Sequence, residues 1–176
     1  MALQTDYPLN PPLAYEGMII GPLEDCDFHP VRNADTVSIP FGRAVAWKKV
    51  GQTADMDVQL PASSTDTIAG IFFKVNYFMP ALTVPGLGGA PITIGQFDSN
   101  GLLPGQMFVI LRRGKIAVRA TEFVNVDDRP FVMIGGGFRR SADGTNTIDC
   151  TRQGQFLSSG PPGTFLQLSV DFLSKP

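Results

Sequence analysis

The only imidazole in the chain is His29, and the hydroxyls that could join it in nucleophilic chemistry are Ser158 and Ser159. Such chemistry needs a base held rigidly beside its nucleophile. His29 instead precedes Pro30 in a proline-rich stretch, and neither serine sits in the Gly-x-Ser-x-Gly turn that exposes a hydrolase nucleophile. Gly135-Gly136-Gly137 has the composition of a phosphate cradle, but that device requires a helix opening directly after it so that aligned N–H groups face the anion. Here Phe138-Arg139-Arg140 leads into a further turn, Ser141-Ala142-Asp143-Gly144-Thr145-Asn146. The acidic pairs Glu24-Asp25, Asp55 with Asp57, and Asp127-Asp128 read as solvated loop positions or turn caps. None combines with His or Cys at metal-ligand spacing, although an incidental oxygen-ligated cation stays open. Cys26 and Cys150 lie in no Cys-x-x-Cys pattern and read as two unpaired thiols, with a long-range disulfide as the alternative. The expectation is no catalytic residue, no cofactor and no metal. One cationic cluster remains, Arg112-Arg113 with Lys115, which is either a soluble tip that discourages edge pairing or an electrostatic contact to an acidic partner surface.

The elements that would carry these residues are short strands. Residues 107–120 hold two apolar runs, Phe108-Val109-Ile110-Leu111 and Ile116-Ala117-Val118, around Arg112-Arg113-Gly114-Lys115. The pattern predicts a β-hairpin whose tight turn uses Gly114. Residues 42–50 alternate in part and read as a strand, 51–64 as polar turns, and 68–75 as a strand dense enough in apolar residues to be buried on both faces. Further strands are expected at 131–134, 147–150 and 164–172. About seven or more short strands separated by turn signals make an all-β fold, a small barrel or sandwich.

Two segments do not fit a compact strand grammar. Residues 1–40 carry six prolines, which remove backbone donors and exclude a helix, so this stretch is expected as an extended arm and lead-in to a single β domain spanning 41–176. Its first fifteen residues present Tyr7, Leu9, Pro11, Pro12, Leu13 and Tyr15, too apolar for a tail that only meets water. Fully extended they reach roughly 50 Å, enough to span a neighbouring subunit. Ordering them costs about 15–30 kcal/mol, whereas four apolar anchors return about 6–12. Anchors alone are insufficient, so the arm is expected to pair its backbone with a sheet edge or lie in a groove between subunits. The second segment is an irregular insertion at 76–105, whose Tyr77, Phe78, Met79, Leu82 and Leu87 argue for packing on the body or on a partner.

At 176 residues the chain can bury roughly 70% of its unfolded surface without a metal or disulfide. A net charge of −2 supplies no positive field for polyanions, so nucleic acid is not expected as a partner. No run approaches a membrane span and the first residues lack a signal peptide, which predicts synthesis in the cytoplasm and no membrane partner.

The order of several motifs resembles the structural cement, or capsid decoration, proteins of tailed bacteriophages. It rests on Gly17 to Gly21 with Pro22-Leu23, Ile39-Pro40-Phe41-Gly42-Arg43-Ala44-Val45, Ala69-Gly70-Ile71, and Pro104-Gly105 through Val118. It continues in Gly137-Phe138-Arg139, Ala142-Asp143-Gly144-Thr145 and Gln155-Phe156-Leu157. The proline-rich arm, the 76–105 insertion and Asp127-Asp128 depart from the family pattern. The resemblance implies a non-enzymatic protein on the outside of a capsid, at junctions between capsomers, made in the host cytoplasm. Its implied partners are the major capsid protein and copies of itself, as a homotrimer in preference to a homodimer. The rival reading is a carbohydrate- or receptor-binding β-sandwich of a virion, for which Trp47 and Tyr77 are the candidate aromatics.

Overall fold

A computed structural model describes residues 16–49, 51, 55–74, 82–85, 91–94 and 101–173, with the segments 82–85 and 91–94 described as backbone. Among the described residues fourteen strands succeed one another: β1 (Asp27–Asn33), β2 (Ile39–Pro40), β3 (Ala44–Trp47), β4 (Asp57–Gln59), β5 (Ile68–Phe72), β6 (Leu82–Pro85), β7 (Pro91–Ile94), β8 (Gly101–Leu102), β9 (Met107–Arg119), β10 (Phe131–Met133), β11 (Phe138–Arg139), β12 (Thr147–Asp149), β13 (Gly154–Phe156) and β14 (Phe165–Asp171). Helical structure among the described residues is one 3-10 turn, Leu23–Asp25. The fold is all-β, as the strand grammar predicts.

Strands β1, β4, β3, β5 and β9 pair in succession, and β1 pairs again with β9 to close a barrel. One seam of the barrel is short: β1 and β4 run parallel and match only Arg32 with Asp57 and Asn33 with Val58. Beyond the barrel, β14 continues antiparallel along β9 and carries β13, while β10, β11 and β12 form a separate three-stranded sheet.

Two layers of core explain why the central strands are apolar on both faces. Val31, Val45, Val58, Ala69, Phe72, Phe108 and Ile110 form one cluster with Ile39 and Leu102. Ala44, Ala46, Ile68, Ile71 and Leu111 turn the other way, against Ile116, Val118, Leu166 and Leu168 and against Val132, Phe138 and Ile148 of the small sheet. Every residue of β5 is buried, in keeping with the two-faced reading of 68–75. A strand with barrel interior on one side and a second layer on the other has no face left for polar residues.

The hairpin expected at 107–120 is not present. β9 is one strand of 13 residues, and its ladder with β1 shifts register between Asp27, opposite Arg113, and Phe28, opposite Leu111. Two residues of β9 therefore face one of β1, which is a β-bulge. Before the bulge Phe108 and Ile110 enter one core cluster and Leu111 the other; the bulge reverses the alternation, so the even-numbered Ile116 and Val118 join Leu111. The polar Arg112-Arg113-Gly114-Lys115 marks this change of face, and the sequence signature of a turn and of a bulged strand is the same. Gly114, at φ 140°, is required by a close approach: a Cβ there would come within 2.8 Å of Cys26 Sγ.

The described part of 1–40, expected as a lead-in, belongs to the body through β1 and β2. Pro30 is tolerated because β4 pairs only with Arg32 and Asn33, leaving the outer edge of β1 open at Pro30. Residues 51–64, read as polar turns, supply β4. Within 76–105, β6 and β7 pair antiparallel and β8 pairs with β2, so the described parts of that insertion are locally folded.

Candidate interaction surface

The hydroxyl and imidazole candidates are engaged separately. His29 packs edge-on against Trp47 with ring centroids 5.7 Å apart, and Ser158 Oγ accepts the Gln167 amide at 2.8 Å. Gly135 and Gly136 form the turn between β10 and β11, closed by Met133 N–H donating to the Gly137 carbonyl at 2.8 Å. Both cysteines are free thiols, and burial pushes Cys150 up to about 12. Among the described residues no group of three or more His, Cys, Asp and Glu is placed to hold a metal ion. The arrangement offers surfaces for contact.

One surface is built where the two unusual segments join the body. Gly17 N–H donates to the Ala117 carbonyl at 2.8 Å, fixing the chain beside β9, and the Gly17 carbonyl accepts Lys74 N–H at 2.9 Å. Residue 16 is where residues 1–15 attach, and Lys74 immediately precedes the stretch 75–100. The two segments thus start from adjacent, hydrogen-bonded points. Gly17 is at φ 83° and tightly enclosed, since a Cβ would lie 2.9 Å from Gly42 N. The Glu16 carboxylate stands 3.9 Å from Arg43 and 3.7 Å from Arg119. Burial raises the Glu16 pKa, and the two guanidiniums pull it down less strongly. Phe41 stacks on Phe72 at 4.8 Å with the Lys74 ammonium 5.4 Å over its ring, and Arg119 lies 4.9 Å over Phe165. These contacts make a firm mount. The return of the insertion lies close by, where β8 pairs with Ile39 and Pro40 just before Phe41.

The second surface is a half-open cleft of about 380 Å³ at the β9 bulge. Arg113 and Lys115 line it from β9, Arg129 from the loop before β10, and Arg152 from the turn before β13. Two carboxylates, Asp25 and Asp171, also line it, and Arg113 pairs with Asp171 at 3.3 Å. Arg129 donates to the Gly154 carbonyl at 3.3 Å, while Lys115 and Arg152 are exposed, and the charge of Arg152 also acts on the Asp149 carboxylate. Gly114 lines the cleft too, and the amides of Gln153 and Gln155 and the Ser169 hydroxyl add neutral donors and acceptors.

Of the residues singled out from sequence, the structure brings Arg113 and Lys115 into this cleft. Arg112 is turned elsewhere by the bulge, with its Nε buried. Tyr7, Leu9, Pro11, Pro12, Leu13 and Tyr15 of the arm, and Tyr77, Phe78, Met79 and Leu87 of the insertion, lie outside the described residues, and Leu82 is described only as the backbone start of β6. Trp47 packs against the barrel core. Sequence reasoning missed Arg129 and Arg152, which stand in two unrelated turns. Only the adjacency of β9, β14 and β13 brings them to Lys115, and no local pattern announces it.

Comparison with known proteins gives a family. A family model described as "Structural cement protein (E217 gp24/Pam3 gp6)" matches residues 3–170. Among solved structures, a chain of "The capsid of Myoviridae Phage XM1" is similar with a TM-score of 0.60 at 15% identity, over 97% of this chain and 98% of that one, which shows a shared fold. A second, "The crystal structure of head fiber gp8.5 N base in bacteriophage phi29", has a TM-score of 0.48 at 12% identity, over 84% of this chain and 95% of that one. No curated protein sequence matches the chain.

Proposed function

The chain belongs to the phage structural cement protein family, and from that premise we propose that it binds the outer face of a capsid at junctions between capsomers and stabilises the shell without catalysing a reaction. Its partners in this reading are the major capsid protein and copies of itself, arranged as a homotrimer in preference to a homodimer. The protein is made in the host cytoplasm and ends on the virion surface.

The observation that carries the reading is the shared root of the arm and the insertion, where Lys74 N–H meets the Gly17 carbonyl at 2.9 Å. Two apolar segments mounted side by side on a closed barrel can engage a neighbour and the shell from one footprint. Once the first contact is made, each further contact of the same oligomer is effectively intramolecular, so many moderate contacts give tight attachment. In this reading the arm residues Tyr7, Leu9, Leu13 and Tyr15 are anchors, as are Tyr77, Phe78, Met79, Leu82 and Leu87 of the insertion.

The test is re-attachment to purified capsids that lack the protein, measured for the full chain and for a chain without residues 1–15. The full chain is expected to saturate the shells, and the shortened one to fall well below it while keeping the same far-ultraviolet circular dichroism. Undiminished occupancy without residues 1–15 refutes the role of the arm. An electron microscopy map of the decorated particle with this density inside the shell, or away from capsomer junctions, refutes the placement.

A further inference from the structure

The cleft at the β9 bulge gathers more cations than carboxylates. Four cations, Arg113, Lys115, Arg129 and Arg152, line it against two carboxylates, Asp25 and Asp171, in a chain whose net charge is −2. Arg113 is occupied by Asp171 and Arg129 donates to a backbone carbonyl, whereas Lys115 and Arg152 are exposed at its rim. A concave site focuses the field of such groups, and its volume of about 380 Å³ fits a few side chains of an incoming segment.

We propose that this cleft docks an acidic segment of a shell protein, with the carboxylates of that segment meeting Lys115 and Arg152. The proposal rests on the capsid-binding reading and names the chemistry of one of its contacts. Three features favour a peptide over nucleic acid. Asp25 and Asp171 would repel a run of phosphates but can stand between the spaced carboxylates of a peptide. The side-chain amide of Gln153 and the Ser169 hydroxyl can serve the backbone groups flanking a carboxylate, while the Gln155 amide is held by Asp127. A polyanion also needs a continuous basic track, and the overall charge of the chain is negative. Gly114 contributes to the wall, because a Cβ there would come within 2.8 Å of Cys26 Sγ, which lines the cleft beside it.

The experiment compares the full chain with Lys115→Glu/Arg152→Glu and with the neutral pair Lys115→Gln/Arg152→Gln. Affinity for capsids lacking the protein is measured at 50 and 300 mM salt. The neutral pair is expected to bind about tenfold more weakly than the native chain at low salt and the reversed pair weaker still, with the native advantage shrinking at high salt. Equal affinity of all three overturns the proposal and leaves the capsid reading intact. Failure of the native chain to bind capsids defeats the capsid reading instead, and a second measurement then decides the cleft. That measurement titrates each protein with a glutamate-rich decapeptide and with a single-stranded oligonucleotide of equal charge. Peptide binding lost in the reversed pair supports the docking chemistry. Oligonucleotide binding tighter than peptide binding, no peptide binding by the native chain, or self-association abolished by the substitutions each overturns it.

Discussion

Replacing Asp57 by Asn tests how much one ion pair contributes to the β1–β4 seam of the barrel. Arg32 Nε donates to Asp57 Oδ1 at 2.8 Å and its Nη2 to Oδ2 at 2.9 Å, a bidentate grip across the parallel β1–β4 seam. The Asp57 side chain is 1% exposed and that of Arg32 34%. Breaking a fully buried pair by removing one partner costs about 3–5 kcal/mol, because the remaining charge is left uncompensated. Arg32 retains contact with water, which lowers the expectation for Asp57→Asn to about 2–4 kcal/mol. The seam has two matched residue pairs, joined by backbone donation from Arg32 N–H to the Met56 carbonyl at 2.8 Å and from Ala34 N–H to the Val58 carbonyl at 2.9 Å. Urea unfolding followed by Trp47 fluorescence is the assay, since Trp47 is the only tryptophan and is paired with Val58, next to Asp57. With a slope of about 2 kcal/mol per molar, the midpoint is expected to fall by about 1–2 M at unchanged slope. The double substitution Arg32→Met/Asp57→Leu should recover most of the loss, because a well-packed apolar pair often matches a buried ion pair. A fall of less than about 0.5 M for Asp57→Asn refutes the reasoning.

Glu122→Gln probes the loop that fastens the small sheet. Burial raises the Glu122 pKa, but donation from the Ser141 hydroxyl and amide, Arg139 and the Arg140 amide outweighs it and holds the carboxyl below its usual value of 4.5. Glu122 therefore contributes stability at neutral pH that is lost as pH falls through its folded pKa, below about 4.5; Gln should cost about 1–2 kcal/mol at pH 7 and flatten that acid dependence in thermal melts. Gly114→Ala should cost about 2 kcal/mol or more, from positive φ and the 2.8 Å approach to Cys26 Sγ. Adding Cys26→Ala should return part of that loss in the same melts, whereas no recovery assigns the cost to the backbone alone.

Much of the body was legible because burial leaves a local trace. Ile68 to Phe72 is apolar throughout since both of its faces are covered, and Phe165 to Asp171 alternates since one is not. β1 was not legible, because Pro30 argues against a strand unless the edge it faces is known to be open. β4 is three residues of mixed polarity, and Asp57 reads as a loop carboxylate until Arg32 is placed opposite it. The candidate surface was half legible: Arg113 and Lys115 stand out as a cluster, and Arg129 and Arg152 do not.

The sequence alone determined an all-β chain and a motif order that belongs to the structural cement family. Those properties are carried by residue type and spacing along the chain. Tertiary structure decided that residues 107–119 form one bulged strand, that the arm and insertion share a root at Gly17 and Lys74, and that cations from three separate elements line one cleft. A turn and a bulge use the same glycine and polar residues, and only the neighbours of β9 distinguish them. Adjacency between distant segments leaves no mark on either one.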